Sequence, residues 1–156
     1  MIKILFICHG NICRSAMSKF VMNDLIKRAG LTDRVSADSA AARSEEIGMP
    51  LYPPAFAELK KHGIDGSGHK ARKMCYEDYD RYDLILGMDH ENMRDMHRLW
   101  PNDPAEKIHM LMDYTKRPGE VADPWYTGDF AKTWKDVLEG CTLLLETIKQ
   151  GELLPE

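Results

Sequence analysis

Residues 2–15 read IKILFICHGNICRS, and this stretch decides the fold. Its first half, Ile2–Ile7, is a short β-rich apolar run, which is typical of a buried strand. The run leads into a glycine-containing turn, and from Ser15 the apolar residues take helical spacing until Gly30. The stretch therefore predicts a strand, a short loop and a helix, with the loop at the carboxyl end of the strand.

The rest of the chain alternates in the same way. Further strands are predicted over Arg34–Ser39, Tyr82–Met88 and Ile108–Met112, and further helices over Ala55–His62, Asp89–Trp100 and an amphipathic stretch from Trp134 to Ile148. A loop with proline and glycine, 113–128, precedes the last helix. Alternating strands and helices imply an α/β fold, a parallel sheet covered on both faces. Ligands of such sheets bind at the carboxyl ends of the strands, where the first loop lies.

The composition is that of an ordinary globular protein. A length of 156 residues, without repeats or linkers, predicts a single domain over residues 1–156. The 21 basic and 25 acidic residues give a net charge of −4, which argues against nonspecific nucleic-acid binding. No apolar run approaches the ~20 residues that a membrane-spanning helix needs. Four cysteines without an export signal favour reduced thiols and a cytoplasmic location.

The first loop has the composition of an anion site. Five residues separate Cys8 from Arg14, a spacing that wraps a short loop around a tetrahedral oxyanion. Backbone N–H groups from Gly10 onward and the positive end of the helix dipole favour a bound phosphate. The Arg14 guanidinium matches two phosphate oxygens. These positive surroundings also favour the thiolate of Cys8, the form that attacks, and Ser15 is expected to hydrogen-bond the sulfur.

The segment CHGNICRS, residues 8–15, strongly resembles the signature of low-molecular-weight protein tyrosine phosphatases. Further segments similar to that family follow in order along the chain: Asp38-Ser39-Ala40, Gly68-His69-Lys70-Ala71-Arg72, Met88-Asp89 and Asp123-Pro124-Trp125-Tyr126. The resemblance covers essentially the whole chain. It implies a doubly wound four-stranded parallel sheet flanked by helices. It also implies hydrolysis of phosphotyrosine in proteins or peptides, with inorganic phosphate as product and competing ligand and with no metal or organic cofactor.

The resemblance also assigns roles to residues. Cys8 is expected to attack phosphorus, Arg14 to bind the phosphate, and Asp123 to protonate the leaving group and later activate water. An extended backbone at Asp123 is favoured by Pro124. The expected substrate-binding residues are His9, Gly10, Asn11, Ile12, Cys13, Ser15, Trp125 and Tyr126. The two aromatic side chains among them are expected to stack on the phosphotyrosine ring.

Four residues, including Asn11 of the substrate-binding set, are expected to support the shape of the loop. By the resemblance, Asn11, Ser39 and His69 hydrogen-bond to one another and hold the phosphate loop in shape. Asp89 matches a supporting carboxylate of the family and is equally suited to cap the helix that follows it.

Some positions depart from the family pattern. His9, next to the nucleophile, is expected at the cleft mouth, where it either tunes the Cys8 thiolate or the substrate preference or is simply exposed, and exposure is favoured. Glu45 and Glu46 stand where some family members place an aromatic side chain on the rim. Acidic side chains there disfavour acidic substrates. With them in place of the aromatic side chain, a strong preference for phosphotyrosine peptides is not predicted.

Two other functions share the first loop. Arsenate reductases of the related fold carry the same Cys-x5-Arg loop but need resolving cysteines, typically just after the third strand. Residues 87–91 contain none, Cys75 is solitary, and Cys141 falls on the apolar face of the last helix. A phosphocysteine carrier or a phosphate-binding module without turnover would not need Arg14 together with an Asp-Pro acid.

The spacing of the histidines and cysteines does not indicate a metal site. The six histidines are scattered, and Cys8 and Cys13 have no second pair of ligands. These two cysteines instead suggest a disulfide that forms on oxidation, a trait that the resemblance supports. Such a bond would protect Cys8 from irreversible oxidation.

Overall fold

The computed structural model describes all 156 residues, Met1–Glu156. Its strands are β1 (Ile2–Cys8), β2 (Val35–Ala41), β3 (Leu84–Gly87) and β4 (Ile108–Met110). Its helices are α1 (Arg14–Arg28), α2 (Pro53–Lys61), α3 (Asp78–Arg81), α4 (His90–Leu99), α5 (Pro124–Thr127) and α6 (Phe130–Lys149). A 3-10 turn, Leu111–Tyr114, follows β4 directly.

The four strands form one parallel sheet in the order β2-β1-β3-β4. The apolar side chains of β1 alternate between its two faces. Ile4 and Phe6 belong to the larger core, which α1 and α6 also line, whereas Leu5 and Ile7 pack with Met96 on the α4 side. These four apolar side chains of β1 are fully buried, and burial of such side chains stabilises a fold by about 1.5–3 kcal/mol each. The predicted buried first strand and parallel sheet are confirmed.

The sheet order explains where the functional loop lies. From β1 the chain crosses to β2 on one side, and it later returns to β3 on the other side. The loops that follow β1 and β3 therefore diverge at the carboxyl edge of the sheet and leave a crevice between them. Cys8 ends β1, and Asp89 lies two residues beyond the end of β3, so both lie at this edge.

Several boundaries differ from the prediction. Leu111 and Met112 are not strand residues, because the Asp113 carboxylate accepts the Met110 N–H at 3.0 Å and turns the chain into the 3-10 turn. The stretch predicted as a loop over 113–128 contains α5, which has Pro124 in its first turn. The short helix α3 was not predicted, since four residues carry no readable periodicity.

None of the helices combines the length and the apolar character that crossing a membrane requires.

Candidate active site

A cleft of about 510 Å³ opens at the carboxyl edge of the sheet. Its lining includes nine of the residues that the sequence singled out for the site: Cys8, His9, Gly10, Ile12, Cys13, Arg14, Asp123, Trp125 and Tyr126. The supporting residue Asp89 lines it as well. The other four, Asn11, Ser15, Ser39 and His69, are buried and do not line it. The structure thus brings together residues that are more than a hundred positions apart in sequence.

Cys8 lies where β1 passes into the loop, and only 3% of it is exposed. Its Sγ is 3.0 Å from the hydroxyl of Ser15, which is itself fully buried in the first turn of α1. The backbone N–H groups of residues 9–15 donate to no backbone acceptor. A thiol beside a run of unengaged N–H groups at a helix N-terminus is the arrangement that binds a phosphate-sized anion.

Asn11 sets the shape of the loop. It is fully buried and has a left-handed backbone, φ 61°, which asparagine tolerates better than most residues. Its Nδ2 donates to the Ser15 hydroxyl at 2.8 Å, and its Oδ1 accepts the Arg72 backbone N–H at 3.2 Å. Its backbone carbonyl lies 2.7 Å from Nε2 of His69. Every polar group of the side chain therefore has a partner.

The expectation for Ser39 is not met. The Ser39 hydroxyl is buried on β2 but hydrogen-bonds neither to Asn11 nor to His69, and it has no other partner. The Asn11 amide pairs instead with the Ser15 hydroxyl and with the Arg72 backbone N–H.

Arg14 is buried beneath the cleft, with 2% of its side chain exposed. Its Nη1 donates to the Asp89 carboxylate at 2.7 Å and to the Val121 carbonyl at 3.0 Å, while Nη2 lies 3.4 Å from Asp123. Burial opposes its charge, but the negative charges at Cys8, Asp89 and Asp123 outweigh burial and raise the pKa of Arg14. The guanidinium is therefore a fixed cation whose orientation is set from two sides.

Asp89 makes both contacts that the sequence left as alternatives. One carboxylate oxygen accepts the Asn92 backbone N–H at 2.8 Å and caps α4, and the other accepts from Arg14. The Asn92 side chain in turn accepts the Asp89 backbone N–H at 3.2 Å, which completes a capping box. The position of Arg14 is thereby coupled to the start of a helix.

Asp123 lines the same cleft, and 24% of its side chain is exposed. Its backbone is extended (φ −76°, ψ 112°), as expected before Pro124. One carboxylate oxygen accepts the Trp125 N–H at 3.0 Å and caps α5, so the other is aimed at Arg14. The carboxyl group is therefore directed toward Arg14 within the cleft.

The two aromatic residues of α5 form one wall of the cleft. Trp125 and Tyr126 are 54% and 84% exposed, which is unusual for large aromatic side chains. The Trp125 ring packs against Tyr52, with 4.9 Å between ring centroids, and Tyr52 in turn contacts Phe130 at 6.0 Å. Trp125 is thus supported from behind, and its sequence neighbour Tyr126 stands free.

Glutamates line the rim of the cleft, and His9 contacts two of them. The imidazole is 40% exposed, at the cleft mouth as expected, but it lies 3.4 Å from Glu45 and 3.1 Å from Glu91. Glu46 and Glu120 also line the cleft. Sequence reasoning identified Glu45 and Glu46 but missed Glu91 and Glu120, which reach the rim from α4 and from the loop before α5.

The cysteines have different surroundings. Cys13 lines the cleft beside Cys8, and burial, together with negative charge at Cys8 and Asp123, raises its pKa, so it remains a thiol. Cys141 is fully buried in the larger core, as expected, and Cys75 lies outside the cleft. No group of three or more His, Cys, Asp or Glu side chains is arranged to hold a metal ion.

The fold and the site together define an α/β protein with a buried thiol, a fixed arginine and a carboxyl group around one cleft. A family model described as low molecular weight phosphotyrosine protein phosphatase matches residues 3–153. The chain is 35% identical to the low molecular weight protein-tyrosine-phosphatase YfkJ of Bacillus subtilis, over 99% of this chain and 100% of that one. It is 34% identical to the human low molecular weight phosphotyrosine protein phosphatase, over 92% and 93%.

Solved structures agree with these matches. The crystal structure of Bacillus subtilis YfkJ superposes with a TM-score of 0.94 over 97% of this chain and 96% of that one, at 35% identity. A protein tyrosine phosphatase from Entamoeba histolytica superposes with a TM-score of 0.90, over 97% and 99%, at 28% identity. The chain belongs to the low molecular weight phosphotyrosine protein phosphatase family.

Proposed function

We propose that this protein is a protein-tyrosine phosphatase that works through a cysteinyl-phosphate intermediate. The observation that carries the proposal is the convergence of Cys8, Arg14 and Asp123 on one cleft, with the Arg14 guanidinium 3.4 Å from the Asp123 carboxylate. A phosphate ester held there by Arg14 and the loop N–H groups has both the Cys8 thiol and the Asp123 carboxyl group within the same cleft. Membership of the phosphatase family supports the same activity.

In the first chemical step, the Cys8 thiolate attacks phosphorus, a P–S bond forms and the ester P–O bond breaks. The electron pair of that bond leaves with the tyrosine oxygen, and Asp123 supplies its proton. The Ser15 hydroxyl, 3.0 Å from Sγ, remains in place to stabilise the sulfur. Arg14 and the N–H groups of residues 9–15 stabilise the charge that spreads over the equatorial oxygens, which is where most of the rate enhancement is expected.

In the second step, water attacks the phosphocysteine. Asp123, now ionised, takes a proton from that water as the P–O bond forms and the P–S bond breaks. The products are inorganic phosphate and the Cys8 thiolate, so the enzyme returns to its starting state without an external cofactor.

The substrate class follows from the walls of the cleft. The exposed rings of Trp125 and Tyr126 offer a surface on which an aromatic ring stacks, and the support of Trp125 by Tyr52 limits the ordering cost of that contact. An aryl ester such as phosphotyrosine gains this contact, whereas a phosphoserine does not. We therefore infer phosphotyrosine-containing proteins or peptides as substrates, with inorganic phosphate as a competing ligand.

The proposal is tested by following hydrolysis of p-nitrophenyl phosphate and of a phosphotyrosine peptide by rapid quench in the presence of a metal chelator. We expect steady turnover of both substrates, with phosphate attached to Cys8 after acid quenching. Binding of phosphate without turnover would overturn the proposal in favour of a phosphate-binding module. Turnover that the chelator abolishes would overturn the metal-free thiol mechanism.

The charge on the cleft rim predicts a preference among phosphopeptides. Four glutamates surround the mouth, and Arg14 is the only arginine or lysine in the lining. Each exposed ion pair contributes about 0.2–1 kcal/mol, so lysines flanking the phosphotyrosine should raise kcat/KM by about 5- to 20-fold over flanking glutamates at low salt. High salt should reduce the ratio, because such pairs are screened.

Matched variants test whether the glutamates of the rim cause this preference for lysine-flanked peptides. Glu45→Gln combined with Glu46→Gln should narrow the ratio between the lysine and glutamate peptides, while p-nitrophenyl phosphate, which has no flanks, changes little. Glu152→Gln removes an exposed carboxylate outside the cleft and should leave the ratio unchanged. Equal kcat/KM values for the two peptides would contradict the prediction.

Cys13 predicts a reversible response to peroxide. Oxidation of Cys8 to the sulfenic acid consumes one peroxide, and condensation with the neighbouring Cys13 thiol releases water and forms a disulfide. We expect a dithiol reagent to restore activity fully in the wild type but not in Cys13→Ser, where oxidation continues to irreversible acids. Cys75→Ser, outside the cleft, should recover as the wild type does. Recovery of Cys13→Ser to the same extent as the wild type would show that Cys13 does not form the protective disulfide.

The thiol chemistry also bears on the compartment. All four cysteines are unpaired in the structure, and the mechanism needs Cys8 reduced. We infer a reducing, cytoplasmic environment from this requirement.

A further inference from the structure

Lys19 contacts the histidine that supports the phosphate loop, a contact that sequence reasoning missed. Lys19 lies on α1, one helical turn beyond Ser15, and its Nζ is 2.7 Å from Nδ1 of His69. The other ring nitrogen of His69, Nε2, is 2.7 Å from the backbone carbonyl of Asn11. His69 is 4% exposed, so its imidazole is held between a side-chain amine and a carbonyl with little access to water.

The chemistry of these two partners selects one form of the imidazole. An ammonium group has only N–H donors, so the Nδ1 that faces Lys19 must present a lone pair. A carbonyl oxygen only accepts, so the Nε2 that faces Asn11 must carry the proton. The neutral Nε2–H tautomer satisfies both contacts. An imidazolium would direct an N–H at a second cation.

The charged and titratable groups around His69 shift its pKa in both directions. Burial lowers the pKa of His69, the charge of Lys19 lowers it further, and the Asn11 carbonyl and Asp38 on β2 oppose them. Burial also lowers the pKa of Lys19, with Asp38 opposing this shift and Arg72 adding to it. The Phe20 ring packs on both partners, 4.7 Å from the Lys19 Nζ and 6.1 Å from the His69 ring.

The contacts continue from His69 to the thiol. His69 holds the Asn11 carbonyl, the Asn11 amide donates to Ser15, and the Ser15 hydroxyl is 3.0 Å from the Cys8 Sγ. Asn11 needs this support because its left-handed backbone, φ 61°, is uncommon for a residue other than glycine. Loss of the contact between Lys19 and His69 is therefore expected to change the shape of the phosphate loop through Asn11.

We propose that Lys19 is a positioning residue that fixes His69 as the neutral Nε2–H tautomer and thereby holds Asn11 and the phosphate loop in their working shape. The tautomer itself follows from geometry alone, whereas the effect on turnover rests on the proposed phosphatase function.

The arrangement has a consequence for acid stability. Since the pKa of His69 is lowered in the folded chain, the unfolded chain binds a proton at this residue first as the pH falls. The free energy of unfolding contributed by His69 is therefore fully present above the unfolded value of about 6.5 and decreases below it.

The test uses Lys19→Met, Lys19→Arg and Lys19→Glu, with Lys27→Met as the matched control on an exposed position of the same helix. Long-range proton–nitrogen NMR reads which ring nitrogen of His69 carries the proton, and a pH series reads its titration midpoint. We expect the Nε2–H form in the wild type, in Lys19→Arg and in Lys27→Met. Lys19→Glu supplies an acceptor and should raise the midpoint by about one pH unit or more.

Turnover provides the second measurement. Lys19→Met leaves Nδ1 without a donor, so part of the population turns a lone pair toward Asn11. We expect kcat/KM for p-nitrophenyl phosphate to fall about 3- to 10-fold near neutral pH, with rescue in Lys19→Arg.

The outcomes separate the two proposals. An Nδ1–H tautomer in the wild type, or a midpoint that is unchanged in both Lys19→Met and Lys19→Glu, would overturn the assignment of Lys19. The expected tautomer with wild-type kcat/KM in Lys19→Met would overturn its positioning role. Absence of turnover in the wild type would instead overturn the proposed phosphatase function and leave the NMR result standing.

Discussion

Replacing Cys8 by serine is expected to abolish turnover of aryl phosphates, with kcat reduced roughly 10⁴-fold or more. A serine hydroxyl at this position stays protonated, and no base lies beside it, since its neighbour Ser15 is another hydroxyl. The change is nearly isosteric and removes no contact of the loop other than the one to Ser15. Binding of the anion by Arg14 and the loop N–H groups should therefore survive.

The measurement pairs turnover with binding. Initial rates with p-nitrophenyl phosphate give kcat, and titration calorimetry with inorganic phosphate reports the state of the anion site. Cys75→Ser makes the same chemical change at a cysteine outside the cleft and should keep wild-type activity. Substantial turnover in Cys8→Ser, or loss of phosphate binding in it, would show that the thiol is not the nucleophile or that the loop has collapsed.

The local parts of the fold could be predicted from the sequence because their signals are local. The apolar run Ile2–Ile7 and the helical spacing from Ser15 lie on either side of a short loop. Because it is short, this loop has to stay at the carboxyl end of the first strand. The alternation of strands and helices then leaves a parallel sheet, whose ligands bind at its carboxyl edge. Cys8 and Arg14 come to the cleft for the same reason, since five residues of loop separate them.

The parts that could not be predicted depend on contacts between distant segments. Lys19 and His69 are 50 positions apart, and nothing in the spacing of either indicates that they meet. Glu91 contacts His9 across 82 positions because α4 begins at the cleft edge. The error at Ser39 also concerns contacts between distant segments, since Asn11 pairs with the backbone N–H of Arg72, 61 positions away, and Ser39 has no partner.

The Asp123 carboxylate combines a structural role with a catalytic one, and one substitution separates the two. Its carboxylate caps α5 through the Trp125 N–H and also faces Arg14. Asparagine caps helices as well as aspartate does, so Asp123→Asn preserves α5 and the aromatic wall while removing the proton donor. We expect kcat for phosphotyrosine to fall about 100-fold or more, the typical contribution of general acid catalysis.

Three further observations distinguish loss of the acid from a displaced loop. Phosphate should bind to Asp123→Asn as tightly as to the wild type or more tightly, because one carboxylate no longer opposes the anion at Arg14. The loss should be smaller for p-nitrophenyl phosphate, whose leaving group is a weaker base than tyrosinate and needs less protonation. Hydrolysis of the phosphocysteine should also slow, because the same carboxylate activates water.

The matched control is Asp129→Asn, which makes the same substitution at the N-cap of α6, outside the cleft, where the carboxylate accepts the Lys132 N–H at 2.9 Å. It should leave kcat unchanged. If Asp123→Asn weakened phosphate binding and slowed both substrates equally, the carboxylate would be holding the cleft together rather than transferring a proton. A loss that grows with leaving-group basicity has no such structural explanation, because a displaced wall does not distinguish one leaving oxygen from another.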